Sequence, residues 1–163
     1  MTSIAVRANC FDASALVKLH VDEDGADVVR HYFNHEATKY TTPFCFYEAL
    51  NVLKVKWLYR KEISRDQYLE ASFQLAAWYR AATVRINDID FTSRTTFADA
   101  QRLSKNTSLD LSDAFQILSV KAGYFSGLVG DSKTILVTGD KNLTVAARQE
   151  GIRVWNFMEE AAP

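Results

Sequence analysis

Residues 6–19, VRANCFDASALVKL, pass from an apolar run into helical spacing across a single aspartate, Asp12. Residues 3–11 read as a buried strand, and the apolar positions after Asp12 recur at the interval of a helix face. The pattern returns at 134–143, TILVTGDKNL, where an apolar strand gives way to Asp140 and another helix. Strands that lead straight into helices cannot pair as hairpins, so they belong to a mostly parallel sheet with helices on both faces. The ligand site of such a sheet lies beyond the carboxyl ends of its strands, which puts Asp12 and Asp140 at one edge despite their separation in sequence. Two more acids join them as candidates: Glu48 in 41–53, TTPFCFYEALNVL, and Asp113 in 109–118, LDLSDAFQIL. Gathered carboxylates repel each other. Raised pKa values relieve that repulsion, or a hard divalent cation such as Mg²⁺ or Mn²⁺ does.

Between these blocks the chain reads as alternating α and β. Asp22, Glu23 and Asp24 open a second helix, where acids complement the positive helix end. A short strand is expected at 39–41, after which Thr42 as N-cap and Pro43 at the first helical position start a helix reaching to about residue 60. Its apolar stripe is Phe46, Leu50, Leu53 and Trp57. Ser64 and Gln67 form a capping box for the next helix, which is expected to bury Leu69, Phe73, Leu75, Ala76 and Trp78 or a subset. A third strand is expected at 83–86, a helix at about 92–105, a helix capped by Ser112, a strand at 134–137 and a last strand near 153–156. Residues 123–132, GYFSGLVGDS, carry three glycines and read as an irregular loop. The architecture expected is α/β, a three-layer αβα arrangement in a single domain spanning 1–163.

The chain has 163 residues, 48% of them hydrophobic, enough for one sizeable core. Its net charge of −1 gives no global positive field, so any nucleic-acid contact must come from a local patch. No run approaches membrane-spanning length and the N-terminus lacks the features of a leader, so the expectation is a cytoplasmic protein with no membrane partner. Cys10 and Cys45 are expected as buried small hydrophobes. His31 and His35, four apart, lack the Glu and the third ligand that a zinc helix carries. In 127–134, GLVGDSKT, Ser132 stands where a phosphate loop needs Gly, and no nucleophile elbow occurs.

Capping alone accounts for Asp12, Asp113 or Asp140 taken singly, since each lies at a helix start. Taken together, Asp12 and Asp140 follow strands that end at the same sheet edge, and Asp113 has Ser112 beside it as an alternative cap. Glu48 lies well inside its helix, bordering the apolar face, where a carboxylate needs a cation or an ion-pair partner. Along the distal half of that helix and just beyond it, Lys54, Lys56, Arg60, Lys61 and Arg65 are interleaved with Trp57 and Tyr59. Such a run is a solvated face or a path for a polyanion.

DASALVKL at 12–19, EALNVL at 48–53, LSDAFQIL at 111–118 and LVTGDKNL at 136–143 together resemble a PIN domain, the fold of metal-dependent ribonucleases that includes VapC-type toxins. The resemblance implies a Mg²⁺- or Mn²⁺-dependent endoribonuclease with Asp12, Glu48, Asp113 and Asp140 as its acidic constellation. It also implies Ser14 and Thr138 as hydroxyls that orient ligands or water. The partners expected on this resemblance are an RNA substrate, an antitoxin protein and a second copy of the chain. Two features depart from the family pattern: a long segment at 123–133, and Gly139 where a bulkier residue is common. A phosphatase with an aspartyl nucleophile would have a second acid where Ser14 stands. A catalytically silent PIN-like module that binds RNA or protein is the rival of another class.

Overall fold

The computed structural model describes residues 7–36, 38–83, 89–123, 125 and 134–163. Within them a four-stranded sheet is built from β1 (Ala8–Phe11), β2 (Thr38–Tyr40), β3 (Ile135–Thr138) and β4 (Arg153–Asn156), in the order β2-β1-β3-β4. Every pairing is parallel, with Cys10 level with both Tyr40 and Leu136, and Leu136 level with Val154. Seven helices connect or flank these strands among the described residues: α1 (Ala13–His20), α2 (Ala26–His35), α3 (Pro43–Leu58), α4 (Arg65–Thr83), α5 (Arg94–Asn106), α6 (Leu111–Ala122) and α7 (Lys141–Gln149).

The alternation of the strands divides the interior in two. Phe11, Ile135, Val137 and Trp155 point to one face, where they pack with α1, α2, α3 and α4 through Leu16, Val29, Leu53 and Leu75. Ala8, Cys10 and Leu136 point to the other, against Leu103 of α5, Ile117 of α6 and Leu143 of α7. The result is a three-layer α/β fold with a parallel sheet, as the sequence implies. Cys10 and Cys45 are buried thiols on opposite faces of the sheet, filling space as small hydrophobes do. No helix among the described residues is long and apolar enough to cross a membrane.

Local chemistry explains several boundaries. Thr42 accepts a hydrogen bond from the Cys45 N–H and Pro43 follows at the first helical position, as expected. The Ser64 and Gln67 capping box is complete in both directions, 2.8 and 3.1 Å. Helix α6 differs from expectation: Asp110, not Ser112, is its N-cap, accepting from the Asp113 N–H at 2.9 Å. In α4 the buried residues are Ala71 and Leu75, with Tyr68 and Trp78 beside them, whereas Leu69 and Phe73 are exposed. That helix carries two apolar stripes on nearly opposite sides, and periodicity does not say which one faces the core. Of the strand expected at 83–86, Thr83 closes α4 and the remainder lies outside the described residues, as does the first half of the strand expected at 3–11. The segment 123–133 is described only at Gly123 and Phe125.

Candidate metal centre

The connection leaving β1 leads to one neighbour, β2, while the chain later returns on its other side as β3. Adjacent strands whose connections diverge open a crevice at their carboxyl ends, the usual ligand position of a parallel sheet. Asp12 follows β1 and Asp140 follows β3, so both stand at this crevice. The ladder continues one residue beyond β1, with the Asp12 N–H donating to the Val137 carbonyl at 3.1 Å. Asp12 is 4% exposed and caps α1 by accepting from the Ala15 N–H at 2.9 Å. Asp140 is exposed and caps α7 by accepting from the Leu143 N–H at 2.9 Å. Capping and site membership coincide in these two residues.

Two hydroxyls stitch the crevice. Ser14 Oγ donates to Asp12 Oδ1 at 2.6 Å and accepts from the Gly139 N–H at 2.9 Å. Thr138 Oγ1 donates to Asp12 Oδ2 at 2.5 Å and accepts from the Asp140 N–H at 2.9 Å. A hydroxyl has one proton to give, and in both residues Asp12 takes it. The proton of each hydroxyl therefore orients Asp12. Gly139 has a steric reason: a Cβ there would lie 2.7 Å from Cζ of Phe157, a core residue, so no bulkier side chain fits without displacing that ring. With Gly139 pinned by Phe157 and by Ser14, the turn that presents Asp140 is held on both sides.

Helices α3 and α6 supply the other two acids. They are aligned by Phe44 and Phe115, whose rings stack at 5.0 Å between centroids and 9° between planes. Glu48 lies one turn beyond Phe44, and Gln116 follows Phe115. Glu48 and Asp113, both partly buried, are joined by Gln116, whose Nε2 donates to Glu48 Oε2 at 2.9 Å and to Asp113 Oδ1 at 3.3 Å. Gln116 escapes sequence reading as a site residue. The available signal is its place three residues after Asp113 on the same helix face.

A groove of about 260 Å³ takes its walls from Asp12, Glu48, Asp113, Asp140 and Gln116, and continues past Lys18, Lys56 and Arg60. The acids feel each other there. Burial pushes the Asp12 carboxyl up to about 6, against the hydrogen bonds from Ser14, Thr138 and Ala15 and with Asp140 adding repulsion. Burial also raises Asp113, to about 7, with Asp110, Glu48, Asp140 and Asp12 all pushing the same way. Glu48 is raised by burial and by Asp12 and Asp110, and Gln116 partly offsets this. A larger cavity of about 470 Å³ lies between His20, Glu62 and Gln74, and none of the four acids reaches it.

The donor set suits a hard cation. Asp12 Oδ2 accepts one hydrogen bond and keeps a second lone pair, while Asp140 Oδ2, Glu48 Oε1 and Asp113 Oδ2 accept none from the described residues. Even so, no three His, Cys, Asp or Glu side chains among the described residues are arranged to hold an ion directly. The acids line the groove walls instead of clasping a point, an arrangement that fits an ion retaining several of its waters, as Mg²⁺ does. His31 and His35 stack at 4.1 Å on the surface and gather no third ligand among the described residues.

The basic run divides in two. Lys56 is 9% exposed and lies in ion pairs with Glu23 and Glu62, and Trp57 is stacked on Tyr68. Lys54, Arg60, Lys61 and Arg65 are exposed. No protein-family model and no curated protein matches this chain.

Proposed function

We propose that the chain is a PIN-like, metal-dependent endoribonuclease. The observation that carries this reading is the convergence of Asp12, Glu48, Asp113 and Asp140, from four separate parts of the chain, on one groove at the divergence point of a parallel sheet. Asp12 and Asp140 stand fixed on the sheet side, and Glu48 and Asp113 face them from α3 and α6. A bound Mg²⁺ or Mn²⁺ supplies a water of lowered pKa and offsets charge on the phosphate. The four carboxylates would hold that ion, directly or through its waters. Ser14 and Thr138 keep Asp12 in one orientation, and Asp140 keeps its own through the α7 cap. No residue of the chain is asked to act as nucleophile.

Purified chain should cleave single-stranded RNA in Mg²⁺ or Mn²⁺, stop when a chelator is added in excess, and resume when metal is restored. Cleavage that continues in chelator removes this reading. The silent PIN-like module is favoured by one observation, the lack of a ready three-ligand set among the described residues. It is the reading to adopt if the chain takes up no divalent ion and cleaves nothing.

The RNA path is assigned to the exposed cations of α3 and the turn beyond it, Lys54, Arg60 and Lys61, with Lys56 withdrawn because its charge is spent on Glu23 and Glu62. Replacing Lys54 and Lys61 together by Gln should weaken RNA binding and reduce its salt slope by about 1.4, each phosphate contact on a single strand releasing counterions. Binding measured in chelator at several salt concentrations tests this, and unchanged slopes would return the run to a solvated face. Pairing with an antitoxin, and with a second copy of the chain, rests on the family resemblance alone. A short neighbouring reading frame encoding a DNA-binding segment and an amphipathic tail is what the toxin reading requires.

A further inference from the structure

Gln116 is an unusual occupant of a helix that is otherwise packed: it is 1% exposed, in a row of buried residues from Ala114 to Val120. Its amide has two ends with opposite needs. The nitrogen end is fixed, because both of its neighbours are carboxylates and the opposite orientation would set the amide oxygen against Glu48 and Asp113. The oxygen end is buried and accepts no hydrogen bond from the described residues. A buried carbonyl oxygen left without a donor is destabilising, and an apolar side chain of the same length would avoid that cost at this position. Holding Glu48 and Asp113 accounts for Nε2 but not for Oε1. None of the described residues supplies that donor, and Gln116 lines the acidic groove.

Given the metal reading above, on which this rests, we infer that Gln116 is a positioning residue for a hydrated divalent ion. Its N–H groups set the spacing of Glu48 and Asp113, and its buried Oε1 is the acceptor kept for a water of the ion's hydration shell. This division of labour explains how acids that do not form a finished cage take up an ion. The amide links two carboxylates from different helices and receives the water that completes the shell. Partners of this outer kind typically contribute 10- to 100-fold to metal affinity.

The experiment is calorimetric titration of the full chain with Mn²⁺, comparing parent, Gln116→Met and Gln116→Leu. The expected result is a fall in Mn²⁺ affinity of about 10- to 100-fold in both variants, with RNA affinity in chelator unchanged and cleavage reduced in kcat more than in KM. A purely structural role would lower thermal stability and leave Mn²⁺ affinity at the parent value, which overturns the inference. The parent chain gives a second measurement that needs no variant to fold: on adding Mg²⁺, the side-chain amide resonances of Gln116 should shift. Stationary resonances in a parent that does bind Mg²⁺ overturn the role of Gln116 alone. A parent that binds neither ion overturns the metal reading with it.

Discussion

Asp113→Asn should lower RNA cleavage by a thousandfold or more, on the order of 4 kcal/mol in transition-state terms, while the variant should fold and gain stability. The loss follows from removing one of four charges that a divalent ion needs at the groove. The retained fold follows from how little Asp113 does for its own helix. Asp110 caps α6, the Asp113 N–H is a donor to that cap, and from the described residues the carboxylate itself accepts one long hydrogen bond, from Gln116 at 3.3 Å. Burial and four neighbouring acids oppose its charge, so an amide of the same shape relieves repulsion in the metal-free chain.

Asp12→Asn should lose cleavage equally and gain less stability. Its carboxylate accepts from the Ala15 N–H and from both the Ser14 and Thr138 hydroxyls, whereas an amide offers a single acceptor oxygen. Single-turnover cleavage and thermal unfolding of the two variants, prepared in parallel with the parent, check both halves. Asp113→Asn cleaving at the parent rate would dismiss Asp113 from the site.

The sheet edge was legible because it depends on local patterns that repeat: an apolar strand, an acid, then helical spacing, at both Asp12 and Asp140. Parallel pairing follows from the intervening helices, and with it the meeting of residues 128 positions apart. Glu48 was legible for another reason, as a charge bordering an apolar helix face with no capping duty. What stayed hidden is set by packing between elements. The cap of α6 was ambiguous because Asp110 and Ser112 are both good caps two residues apart, and only the path of the chain into the helix chooses. The inward turn of Lys56 had a visible signal in its register with Cys45, Ala49 and Leu53, the buried stripe of α3, but a lysine there is read as surface until its partners Glu23 and Glu62 are known. Gln116 had only its spacing from Asp113 to mark it on its own helix, since its closer carboxylate partner comes from α3, 68 positions away.

The metal-free chain should lose stability as pH rises, and a divalent ion should restore it most at the upper end of that range. Asp12 at about 6 and Asp113 at about 7 both stand above their unfolded value of 3.8. Between the unfolded and folded values the native state therefore binds more protons than the unfolded chain, so stability declines through that window and the loss is complete once pH exceeds the folded values. For fully buried Asp12 the displacement corresponds to roughly 3 kcal/mol by linkage. Asp113 adds in the same direction by a smaller amount, because solvent screens a partly exposed group.

Glu23 has the opposite sign. Burial alone would raise it, but Lys18 and Lys56 more than offset that and hold it below its ordinary 4.5, so its contribution is lost only in more acidic solution. Thermal unfolding scanned from about pH 5 to about pH 8 thus isolates the groove acids from Glu23. Mn²⁺ at a hundredfold excess over its dissociation constant adds about 2.7 kcal/mol where the acids are ionised, and much less where protons already occupy them. The gap between the curves with and without Mn²⁺ should accordingly widen with pH, and Asp113→Asn should narrow it. Curves that run parallel across the range would mean that Mn²⁺ binds elsewhere on the chain, and that the raised carboxyls are neutralised by protons alone.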